Sequence, residues 1–252
     1  MNNKNLTLTE HFIELRQRLV YSSLFFLVAF AISYLFAKEI YNFLLQPLIE
    51  AYGVGHHKRI IFTSLTEAFA TYVKLAFLSA LFVSTPFFLT QIYLFIAPAL
   101  YRNEKKVVLS LLICSPLLFL LGSFLLYYFI LPLAFKFFIS FEIESLNSAM
   151  PIELEARISQ YLSLVTELIF AFGIAFQLPV ILILLVKIGL LSVNSLRKQR
   201  KYWMILIFIL AAILTPPDIL SQISLAIPML LLYEIAIIIA SKITKNKNEN
   251  RK

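Results

Sequence analysis

Five long, predominantly apolar intervals of this chain contain neither lysine nor arginine: residues 19–37, 75–101, 107–135, 158–186 and 202–241. About 20 apolar residues cross a ~30 Å hydrocarbon core as one helix. The first four intervals therefore suit one crossing each. The fifth spans 40 residues and contains Thr215-Pro216-Pro217-Asp218. Consecutive prolines remove hydrogen-bond donors and clash with the preceding turn, so no helix continues through them at membrane depth. The interval divides into 202–214 and 219–241. The expected fold is all-α and polytopic, a single membrane domain over 1–252. Its six transmembrane helices lie near 19–37, 75–97, 107–130, 160–186, 202–214 and 219–241, followed by a tail, 242–252. The fifth span offers only about 20 Å of helix, so the bilayer is expected to thin around it.

Composition agrees. Apolar residues make up 60% of the chain and charged ones 14%, against roughly 45–50% and 25% in soluble domains. A chain of 252 residues cannot hide that much apolar surface from water. A soluble enzyme, a disordered chain and a disulfide scaffold are excluded. Cys114 is the single cysteine, which rules out a disulfide framework or a cysteine-based metal site. His56 and His57 are adjacent, a poor ligand spacing, and His11 has no second histidine nearby. No phosphate-binding or dinucleotide-binding glycine motif occurs. The chain reads as non-enzymatic, with no cofactor and no metal. Residues 19–37 are too long for the apolar core of a cleavable signal peptide, and no Ala-x-Ala follows directly after them.

The net charge of +8 gains meaning from its distribution. Six spans place both termini on one side. That side holds Lys4, Arg16, Arg18, Arg102, Lys105, Lys106, Lys187, Arg197, Lys198, Arg200, Lys201, Lys242, Lys245, Lys247, Arg251 and Lys252. The other holds only Lys38, Lys58, Arg59, Lys74, Lys136 and Arg157. The positive-inside rule puts both termini in the cytoplasm. The basic excess then faces anionic lipid, and no nucleic-acid partner is implied.

Carboxylates near the membrane demand explanation, because an ionisable group at helix-centre depth costs at least a few kcal/mol. They are Glu14, Glu104, Glu167, Asp218 and Glu234. Leu8, Phe12, Leu15 and Leu19 form a helical apolar face, and Glu14 falls off it. By position alone, Glu14 is equally a solvated surface charge or a site residue, and Glu104, beside Lys105 and Lys106, reads as a solvated loop charge.

At these residues the chain resembles a known family. His11-Phe12-Ile13-Glu14-Leu15-Arg16-Gln17-Arg18-Leu19 is similar to the N-terminal signature of TatC, the multispanning subunit of the twin-arginine protein translocase. Gln91-Ile92-Tyr93-Leu94-Phe95-Ile96-Ala97-Pro98-Ala99-Leu100-Tyr101 with Glu104 resembles its first cytoplasmic loop. Phe170-Ala171-Phe172-Gly173 through Gln177-Leu178-Pro179 resembles its fourth helix. Leu214-Thr215-Pro216-Pro217-Asp218, Ser221-Gln222, Leu225-Ala226-Ile227-Pro228 and Leu231-Leu232-Tyr233-Glu234 complete the series. The likeness runs from about residue 9 to 240.

The resemblance implies recognition of twin-arginine signal peptides and export of folded proteins, driven by the proton-motive force. It implies that Glu14 and Glu104 dock the two arginines, with Phe95 nearby and Arg16 among the flanking basic residues. It implies the single-span partners TatA and TatB, self-association in a larger complex, and a bacterial plasma membrane rather than an organellar one. A guanidinium offers a planar fork that a carboxylate can grip, and two arginines need two acceptors.

One position departs from the family pattern. Gln177 stands where the family often has glutamate, which removes a titratable group there. Glu167 lies ten residues earlier, about 15 Å along the helix and 80° around it. Gln177 and Glu167 are expected either to line one polar groove that contacts a partner helix, or to leave Glu167 reaching the outer headgroups. Asp218, with Gln222, is expected at the outer turn, as a structural group or a partner contact. Pro47 matches a family position where a rigid bend shapes the first outer loop. Glu234 is expected to pair with a basic tail residue. Pro86, Pro116, Pro179 and Pro228 predict kinked helices. The alternative function is a proton-coupled secondary transporter of a small solute, working through Glu167 and Asp218.

Overall fold

The chain folds into helices, and the computed structural model describes residues 8–53, 60–64, 66–96, 105–141, 155, 157–215 and 219–249. Glu104, Asp218, His56 and His57 lie outside the described residues. Helix α1 runs Leu8–Leu35, α2 Ala37–Tyr52, α3 Glu67–Ile96 and α4 Lys105–Leu125. A π-helical turn, Leu126–Ile130, leads from α4 into α5, Leu131–Ile139. Then follow α6 (Ile158–Ala175), α7 (Leu178–Lys187), α8 (Val193–Lys198), α9 (Arg200–Leu214) and α10 (Ile219–Glu249).

Among the described residues, five segments are long and apolar enough to cross a membrane: Phe12–Leu35, Glu67–Phe95, Leu112–Ile139, Ile158–Lys187 and Ser221–Thr244. Helix α9 occupies the place of the remaining expected span. Its 15 residues cover about 22 Å, slightly more than predicted and still less than a hydrocarbon core.

Several boundaries differ from expectation. Part of the predicted first outer loop is helix α2, and Pro47 is buried inside it rather than at a loop bend. Residues 158–187 form two helices. The chain tightens at Phe176–Gln177, where the Gln177 N–H donates to Ile174 O at 2.9 Å. Pro179 therefore stands in the first turn of α7, where its missing N–H leaves no bond unmade. Pro86, Pro116 and Pro228 do lie inside helices. Helix α10 continues to Glu249, through most of the predicted tail. At the end of α7, Gly189 takes φ +84, and the N–H groups of Gly189 and Leu190 donate to Val186 O and Leu185 O. That pattern caps the carbonyls a helix end leaves over.

The chain divides into two units, residues 1–40 with 72–117, and residues 41–71 with 118–252. In the first, both α1 and α3 bury small residues. Ser22, Ala29 and Ser33 are buried on α1, as are Ala76, Ala80 and Ser84 on α3. Large side chains on the same helices, such as Leu24, Leu27 and Val83, stay exposed. Burial of small side chains with large ones exposed is compatible with a lipid surround, where expulsion of water does not drive packing. Phenylalanines fill the remaining seam: Phe25 stacks on Phe87 at 4.7 Å, and Phe26 meets Phe77 edge-on at 5.3 Å.

In the second unit α10 packs against α7 and α9, burying Leu225, Met229, Tyr233 and Ile237. Helices α4 and α6 cross through two reciprocal contacts. A Cβ on Gly173 would come within 2.4 Å of the Phe119 ring, and one on Gly122 within 2.7 Å of Phe172 O and of the Phe176 ring. Helix α2 is held by two tyrosines. Tyr127 Oη donates to Phe43 O at 2.6 Å and Tyr161 Oη to Leu44 O at 2.7 Å. The start of α3 is tied to the start of α6: Ser159 Oγ donates to Glu67 at 2.6 Å, and the Ile158 N–H to Ile61 O at 3.0 Å.

Candidate functional site

The charged group that the sequence singles out on α1 sits in its second turn. Glu14 and Arg18 are four residues apart with the acid on the N-terminal side, the arrangement in which a helix brings opposite charges together most favourably. Arg18 Nε donates to Glu14 Oε1 at 3.1 Å, and Arg18 Nη2 reaches the same oxygen. The third edge of the guanidinium turns to another helix: Arg18 Nη1 donates to Gln91 Oε1 on α3 at 3.1 Å. The pair is neither open nor sealed, with 22% of the Arg18 side chain and 25% of the Glu14 side chain exposed.

Arg16 is exposed. It lines an open groove of about 560 Å³ along α1, together with Phe12, Leu15 and Leu19. Phe95 is half-buried in the last turn of α3, four residues after Gln91 and so on the same helix face. Glu104 falls outside the described residues. Of the residues expected at this site, the structure thus groups Glu14 with Arg18 and Gln91, places Phe95 one turn beyond Gln91, and turns Arg16 outward. A carboxylate can accept about four hydrogen bonds, and the Arg18 bonds fall on one oxygen. The group can bind a further cationic donor.

The expected intramembrane pair is not gathered on one exposed face. Gln177 is 5% exposed, at the break between α6 and α7, whereas Glu167 is exposed on α6. Glu167 precedes Lys187 by twenty residues, about 30 Å of helix, which is the full thickness of a hydrocarbon core. Gln222 Nε2 donates to Phe208 O at 3.4 Å, linking α10 to α9. Glu234 pairs with Arg200 at 2.9 Å rather than with a tail residue. Helix α9 begins at Arg200, so its first turn reaches Glu234 first. Among the described residues no group of three or more His, Cys, Asp or Glu could hold a metal ion.

Sequence reasoning assigned no role to Arg18, Gln91, Tyr127 or Tyr161. The spacing of Glu14 and Arg18 was a readable signal for the first. Gln91 lies 73 residues from Arg18; it opens the stretch that resembles the family's first cytoplasmic loop, but nothing in that motif pairs it with Arg18.

Comparison with known proteins gives a consistent result. The sequence model of the family described as Sec-independent protein translocase protein (TatC) matches residues 10–228. The Sec-independent protein translocase protein TatC of Rickettsia prowazekii is 48% identical over 243 residues, covering 96% of each chain. That of Magnetococcus marinus is 45% identical, over 96% of this chain and 86% of its own. A crystal structure described as the twin arginine translocase receptor TatC superposes with a TM-score of 0.76 at 36% identity. The match covers 92% of this chain and 99% of that one.

Proposed function

The chain belongs to the TatC family of Sec-independent protein translocase proteins, and from that premise we propose that it receives twin-arginine signal peptides at Glu14. As a family member it is a multi-pass membrane component of protein transport and not an enzyme. Membership also sets aside the small-solute transporter. In this reading Glu14 and Glu104 each accept one arginine of the signal, while Phe95 and Arg16 border the peptide. The observation that carries it is the Glu14 carboxylate near the start of α1, partly exposed, inside the family's N-terminal signature. A guanidinium can donate to it in parallel pairs, which an ammonium cannot.

The topology proposed with this function has six spans, α9 included, and both termini in the cytoplasm of a bacterium, across its inner membrane. It is supported by sixteen of the 22 basic residues falling on one side. TatA and TatB, several copies of this chain, and the proton-motive force complete the translocase. Glu167, exposed on α6, is the proposed partner contact, and Gln177 is the buried polar residue at the break between α6 and α7. Asp218 and Gln222 are the proposed outer-turn groups, while Pro47 acts inside helix α2.

The test is export of a folded reporter carrying an Arg-Arg signal, in cells lacking this protein and complemented with it. Glu14→Ala together with Glu104→Ala abolishes export while the protein still accumulates in the membrane. Export that survives the double change overturns the site.

A further inference from the structure

We infer that Arg18, anchored by Gln91, is a positioning residue that aims the Glu14 carboxylate at an incoming guanidinium. The inference rests on the signal-peptide reading of Glu14 and adds two residues to it.

The hydrogen bonds carry the argument. Arg18 spends Nε and Nη2 on Glu14 Oε1 and Nη1 on Gln91 Oε1. A guanidinium is planar, with its donors in fixed directions. Holding one edge on α3 therefore fixes the edge presented to α1. A glutamate side chain is otherwise free about three torsions, and ordering it when a ligand arrives costs binding energy. Here that ordering is done before the ligand comes.

The choice of oxygen matters as much as the bond. A fork-to-fork pair would spread a guanidinium across both carboxylate oxygens. Arg18 instead converges on Oε1, so its grip does not span Oε2. A second guanidinium can approach Glu14 from that side while Arg18 stays in place. Glu14 and Arg18 are also both largely buried, at 25% and 22% exposure, so Arg18 is set within the site rather than displayed to bulk water. Arg16, two residues earlier and about 200° around the helix, cannot substitute for it. Lysine at position 18 could neutralise Glu14, but a single ammonium lacks the rigid fork that joins Glu14 to Gln91.

The experiment measures Kd for a fluorescent signal peptide bearing Arg-Arg, and for its Lys-Lys counterpart, on the full chain in lipid nanodiscs. Glu14→Gln weakens the Arg-Arg peptide about tenfold, as loss of a charge-assisted bond requires. Arg18→Lys preserves charge and lowers the Arg-Arg over Lys-Lys preference about fivefold or more. Gln91→Leu, which leaves the ion pair and removes only its anchor, moves that preference in the same direction. Arg18→Gln added to Glu14→Gln has no further effect, because the residue acts through Glu14. Should Arg18→Gln fail to fold, Gln91→Leu decides the matter. Wild-type preference in both Arg18→Lys and Gln91→Leu overturns the inference. So does an Arg18→Gln penalty that is equal with and without Glu14, which marks a purely structural role. Wild-type binding by Glu14→Gln is a different failure: it removes the signal-peptide reading, and the inference falls with it.

Discussion

The hydroxyl of Tyr127 donates to the carbonyl oxygen of Phe43 at 2.6 Å, and that carbonyl is the one Pro47 deprives of its helical partner. In an α-helix the N–H of residue 47 bonds the C=O of residue 43, and proline has no N–H. The tyrosine supplies the missing donor from the π-helical turn after α4. It also stacks its ring on Phe43, with centroids 4.5 Å apart and planes 7° from parallel. Tyr161 adds a donor to the neighbouring carbonyl of Leu44, whose own helical partner is the N–H of Leu48. Proline in α2 is tolerated because one distant residue supplies the hydrogen bond that its ring removes.

Tyr127→Phe leaves Phe43 O without that donor at a cost of about 1–3 kcal/mol, read as a lower Tm in detergent. Pro47→Ala restores the backbone donor, so Tyr127→Phe costs less on that background. Additive penalties for the two changes would show that the pair is not coupled.

The glycines between α4 and α6 set a steric limit. Gly173→Ala puts a methyl group into the Phe119 ring and is expected to cost about 1–3 kcal/mol through overpacking. Phe119→Leu, which vacates part of that space, recovers part of the loss. A Gly173→Ala protein as stable as wild type would mean that the two helices separate freely.

Ser84 offers a change in the opposite direction. Its side chain is fully buried on α3, and its Oγ has no hydrogen-bond partner. A buried hydroxyl without a partner costs about 1–3 kcal/mol. Ser84→Ala is therefore neutral or stabilising by up to about 1 kcal/mol, and a drop in Tm would show that the hydroxyl is used.

Glu234 and Arg200 form an ion pair in which about half of each side chain is exposed. Such pairs contribute roughly 0–1 kcal/mol. Glu234→Gln is expected to leave Tm within a few degrees of wild type and reporter export unchanged. A full loss of export would assign this glutamate a role in transport that its geometry does not suggest.

Much of this architecture was legible because membranes impose a one-dimensional rule. Charge exclusion alone located the long helices, and Pro216-Pro217 marked the division between α9 and α10. Helix α2 is not legible in the sequence because Pro47 reads as a bend when its rescuing tyrosine lies 80 positions further along. The break at Gln177 was read as a kink, since one proline signals either outcome and the neighbouring turn decides. At the site, Glu14 stood out by its charge and its motif. Gln91 stood in a family-like motif, but its link to Glu14 is visible only through the guanidinium it holds.

The small residues buried on α1 and α3 bear on how the protein is assembled. Leu24, Leu27 and Val83 are more apolar than Ser22, Ala76 and Ser84, yet the latter are inside. In water the chain would collapse around the wrong residues. Hydropathy can therefore govern only entry into the bilayer, and residue size must govern which helix docks on which afterwards. These are two successive decisions read from the same side chains. A substitution that leaves one untouched can still ruin the other: Ala80→Leu should insert normally and then fail to dock.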